Sequence, residues 1–102
     1  MRALTLALLI ALSTPTLAAV TPKLCSDLSE TAATIMQKRQ EGVAMVRIMD
    51  LMGDSKIMQE IVVEAYEVRR HPAPFWQDRE INDFRDKWYL TCYKLIDDAV
   101  AS

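Results

Sequence analysis

Glycine occurs twice and proline four times in these 102 residues, and histidine once. With so few chain breakers, most of the sequence runs on without punctuation. No stretch alternates polar and apolar side chains long enough to argue a strand. There is no Cys-x-x-Cys pair for redox exchange and no Gly-x-Ser-x-Gly nucleophile turn, and a serine triad has one candidate base, His71. Internal repeats, Ser/Gly linkers and low-complexity tracts are missing too. Positive charge is also short: 12 Lys and Arg stand against 14 Asp and Glu, a net charge of −2. That balance excludes wrapping nucleic acid by counterion release and the behaviour of a cationic membrane-active peptide.

What is present begins with "MRALTLALLIALSTPTLAAV". One basic residue, Arg2, precedes an uncharged run from Ala3 to Leu12, then Pro15 and small residues. This is the order of a secretory signal peptide. The run is about half the roughly 20 residues that a membrane span needs, so an uncleaved anchor is the weaker reading. Thr16 and Ala18 suit a cleavage site, which divides the chain into a signal peptide, 1–18, and one domain, 19–102, with cleavage after Ala19 as the alternative. Lys23-Leu24 before Cys25 is unlike a lipobox. No later segment is apolar enough to span a bilayer, and the length admits one core. The expected location is periplasmic or secreted.

Export places the only cysteines, Cys25 and Cys92, in an oxidising compartment where they have one possible pairing. The alternatives are two buried thiols or a redox site, for which no neighbouring histidine speaks. Closing so long a loop stabilises a small domain by about 4 kcal/mol.

Glycine and proline punctuate the rest into four helices, one short, so the expected fold is all-α, a small four-helix domain closed by a single disulfide. The first starts after Ser26 or Asp27, where Asp27 and Glu30 form a capping-box pattern. Its stripe is Leu24, Leu28, Ala32, Ile35 and Met36, and "KRQEG" ends it at Gly42. The second runs Val43 to Met52. The third, capped by Asp54 or Ser55, runs Lys56 to about Arg70 with Ile57, Ile61, Ala65 and Val68 inward. "HPAP" ends it. The last begins near Trp76 or Gln77, reaches about Val100, and buries Ile81, Phe84, Trp88, Cys92, Leu95 and Ala99.

Few residues offer chemistry. His71, before Pro72, reads as a surface turn residue. Glu60, Glu64 and Glu67, and the interleaved charges from Asp78 to Lys87, read as solvated helix faces rather than paired catalytic acids. Met45, Met49 and Met52 share a face of the second helix: copper(I) ligands are one reading, adaptable core packing or a soft docking surface the commoner ones. Tyr89 and Tyr93 either flank the core beside the disulfide or face outward as protein contacts. The candidate binding surface is therefore Met45, Met49, Met52, Tyr89 and Tyr93. No catalytic set, cofactor or metal is expected, and the oligomeric state is left open.

"LCSDL", "MQKRQEGVAM", "IVVEAYEV" and "FRDKWYLTCYK" together resemble a group of short exported two-cysteine helical proteins of proteobacteria and their prophages. The resemblance implies a bacterial periplasmic location and the Cys25–Cys92 pairing; the group has no agreed activity to transfer. In architecture the chain is also similar to acid-stress periplasmic chaperones of the HdeA type, although here the second cysteine lies inside the final helix. The leading functional expectation is a non-catalytic protein-binding module, an inhibitor, immunity or exclusion factor with another protein as partner. An acid-stress chaperone and a small enzyme are the alternatives.

Overall fold

The computed structural model describes residues 17–101, so the signal-peptide expectation lies outside the described residues but for its last two positions. Four helices follow in order: α1 Leu17–Glu41, α2 Met45–Met52, α3 Lys56–Glu67 and α4 Pro74–Ala101. There is no strand among the described residues. The all-α reading, four helices with one short, holds.

α1 and α4 lie antiparallel, tied by Cys25 to Cys92 (Cα–Cα 5.4 Å) and by Glu30 Oε2 3.2 Å from Arg85 Nε. The Arg85 contact is an ion pair without hydrogen-bond alignment. α3 packs on the C-terminal half of α1, and α2 packs on α3. The core between them is Ala32, Ile35 and Met36 of α1, Ile48 of α2, Ile61, Val62 and Ala65 of α3, and Phe84 and Trp88 of α4.

The ends of the helices show what local sequence decides and what it does not. α1 stops where expected: Gly42 takes φ +86°, its N–H donates to Arg39 O at 3.0 Å, and Val43 N–H donates to Lys38 O at 3.0 Å. That paired closure needs a left-handed residue, which glycine supplies without a Cβ penalty. Ser55 caps α3, its Oγ accepting from Met58 N–H.

Elsewhere the boundaries move. α1 begins at Leu17, well before the expected Asp27 cap. Asp27 is instead paired with Lys23 one turn back at 3.3 Å, and its carbonyl accepts from Thr31 Oγ1. Burial of Cys25 against α4 holds this stretch helical, overriding the cap signal and the Pro22 that α1 contains. α2 starts two residues later than expected, at Met45. α3 ends at Glu67 rather than Arg70: Val68 turns extended at ψ 137°, and the carbonyls beyond, which have no helical donors, accept from side chains of α1, Val68 O from Arg39 Nε at 3.0 Å and Arg69 O from Gln40 Nε2 at 2.9 Å. α4 starts at Pro74, since proline in a first turn forfeits no hydrogen bond.

Three inward expectations fail for one reason. Leu24 is 51% exposed and Leu95 57% exposed, with Ala99 exposed beyond it. The end of α3 is fixed near the end of α1, where Tyr66 OH donates to Val43 O at 2.6 Å. From there its 12 residues reach back about 18 Å, to the level of Leu28. α4, with 28 residues, is more than twice as long. The apolar stripes of α1 and α4 continue past their cover. Ile57, in the first turn of α3, is also partly exposed.

Candidate interaction surfaces

The residues that carry chemistry are spent on joints. His71 is not the free turn residue expected. Its Nε2 lies 2.9 Å from Glu80 Oε2, its N–H donates to Gln40 Oε1 at 2.9 Å, and its carbonyl accepts from Gln77 Nε2 at 2.6 Å. His71 thereby joins the α3–α4 connection to both long helices, its ring to α4 and its backbone N–H to α1. Gln40, a residue the sequence reading passed over, is buried at 2% exposure, and its amide bonds both Arg69 O and His71 N–H. The one local sign was its position four residues after Met36, on the buried stripe.

Tyr66 is a second joint. Its hydroxyl reaches Val43 O while the Arg39 guanidinium lies over its ring, 5.2 Å from the centroid. Burial pushes the phenol above its ordinary pKa, and the Arg39 charge opposes that shift.

Between α3 and α4 runs an open groove of about 420 Å³, based on Met36, Val68 and Phe84 and walled by Glu64, Glu67, Glu80 and Asp83. Three of these carboxylates are engaged, Glu64 by Lys87, Glu80 by His71 and Asp83 by Arg79 at 3.9 Å. Glu60 and Glu67 are exposed, in keeping with a solvated face. Among the described residues no group of His, Cys, Asp and Glu is placed to hold a metal.

Apolar side chains, by contrast, stand uncovered. Met45, Met49 and Met52 turn inward and pack half-buried against the core, so α2 does not present them freely. It presents Val46 and Leu51, 64% and 76% exposed. Beside Leu51 an apolar cleft of about 240 Å³ opens between α1 and α2, lined by Ile35, Ile48, Leu51 and Met52.

On α4, Tyr89 and Tyr93 are 37% and 48% exposed and enclose a shallow depression with Asp86 and Leu90. At 100° per residue Asp86, Leu90 and Tyr93 face away from Phe84 and Trp88, and Tyr89 stands at the edge of that outward side, about 60° from Cys92. Leu90 was missed by the sequence reading; its signal was an aliphatic residue off the buried register. The five candidate residues thus fall on two elements, three methionines behind an exposed edge of α2 and two tyrosines on the outward side of α4.

No family model, curated protein or solved structure matches this chain. Its surfaces are therefore read from their own chemistry. Cys25 and Cys92 are bonded, both buried, and no cysteine is free. A disulfide fits an oxidising compartment, and among the described residues no helix is long and apolar enough to cross a membrane.

Proposed function

We propose that this chain is a non-catalytic protein-binding module of the periplasm or of secreted fluid, docking another protein as an inhibitor, immunity or exclusion factor does. One observation carries the reading: beside the inward Ile48 and methionines, α2 leaves Val46 and Leu51 64% and 76% exposed, one on each flank of its outward Arg47 and Asp50. A helix of eight residues has no stability of its own. Its inner side attaches it to α3, and the flanking Val46 and Leu51 gain nothing until a partner covers them. Met45, Met49 and Met52 beneath it supply side chains that repack at little cost, which suits a docking element. His71, Gln40 and Tyr66, engaged in joints, support a binding role over a chemical one.

Affinity capture from periplasmic extract tests this. The wild-type chain is expected to retain a stoichiometric protein, and Leu51→Asp, with helix content unchanged by circular dichroism, to lose it. Failure of the wild type to retain any stoichiometric protein across several buffers overturns the reading.

A further inference from the structure

The outward side of α4 carries a pattern that matches itself. Asp86, Leu90 and Lys94 follow one another at intervals of four, along one ridge of the helix. The acid and the base lie about 12 Å apart with the leucine midway. Three of the four basic residues in α4 have carboxylate partners within the chain: Arg79 with Asp83, Arg85 with Glu30, and Lys87 with Glu64. Among the described residues Lys94 has none. Nor has Asp86, although Arg85 and Lys87 are its neighbours in sequence. The two unpaired charges thus flank a 53% exposed leucine, with Tyr89 and Tyr93 alongside.

We propose that this face pairs with the same face of a second copy, the two α4 helices antiparallel about a twofold axis at Leu90. Such an interface is reciprocal. Asp86 of each copy meets Lys94 of the other, and Leu90 meets Leu90. Asp97, farther along, falls opposite Asp83, whose charge Arg79 already offsets.

Interdigitation of i±4 ridges crosses helices at about −50°, which confines contact to the turns between Asp86 and Lys94. Three half-exposed apolar side chains per copy fall short of the roughly 1,200 Å² that a stable interface buries. The pair is therefore weak and reversible, and its ion pairs set register more than affinity.

Sedimentation equilibrium on the full domain, from micromolar to near-millimolar concentration, tests it. The wild type is expected to shift from monomer to dimer as concentration rises. Asp86→Lys and Lys94→Asp each place like charges across the axis and weaken association about tenfold or more. The double exchange of the two residues restores it. Asp78→Lys, which alters net charge equally but lies outside the contact, leaves it unchanged.

A chain that stays monomeric throughout overturns the proposal, as does a double exchange that fails to restore pairing. So does an Asp78→Lys variant as weak as Asp86→Lys. If instead the monomeric chain captures a different protein that Leu90→Asp releases, this face docks that protein, and self-pairing is excluded while the binding role stands.

Discussion

Gln40 leaves neither end of its amide idle: the nitrogen donates to Arg69 O and the oxygen accepts from His71 N–H. Gln40→Ala strands both backbone groups and is expected to lower stability by about 2–4 kcal/mol. Gln37→Ala, at an exposed position where the amide only reaches Glu41, is expected to stay within about 0.5 kcal/mol. Urea unfolding of the two variants checks the contrast. At Tyr66 the fold favours the neutral phenol. Its folded pKa is the higher one, so its stabilising effect is complete below about pH 10 and is lost as pH rises through the folded value. Tyr66→Phe is expected to flatten that alkaline decline in a thermal-melt series, and to lose about 1 kcal/mol at neutral pH with the bond to Val43.

Between elements, identical-looking positions have different worth. Trp88 and Leu95 sit on one stripe of α4, yet Trp88 is 3% exposed and Leu95 57%. Trp88→Ala is expected to cost about 3–5 kcal/mol, and Leu95→Lys about 0.5 kcal/mol or less, by the same urea titration. Periodicity made the stripe legible, since Phe84, Trp88 and Cys92 recur at helical spacing and do face inward. It did not say where the stripe stops being covered, because that depends on where Tyr66 and Val68 anchor a shorter helix. Gly42 and Ser55 were legible as caps because their effect is local. The start of α1 was not, since a tie to a residue far along the chain holds Cys25 helical. Leu51 shows the same limit from the other side: it looks like core in composition, and only the packing of neighbours leaves it in water, whereas the place of Leu90 off the buried register was open to reading.

Over the whole molecule, the bond from Cys25 to Cys92 closes a loop with a sequence separation of 67. Replacing both cysteines with serine is expected to lower stability by about 4 kcal/mol through the freedom returned to the unfolded chain, read as a lower urea midpoint. The sulfurs are buried yet stand outside the main cluster, close to where α3 ends its cover.

That location sets a boundary in time as well as in space. Helices fray from free ends, and here two termini would unwind side by side toward Trp88 unless something arrests them. The sulfur bridge is such a clasp. Amide deuterium uptake is expected to be fast outboard of the cysteines and to slow abruptly just inboard, with the step moving toward Trp88 once the bridge is reduced.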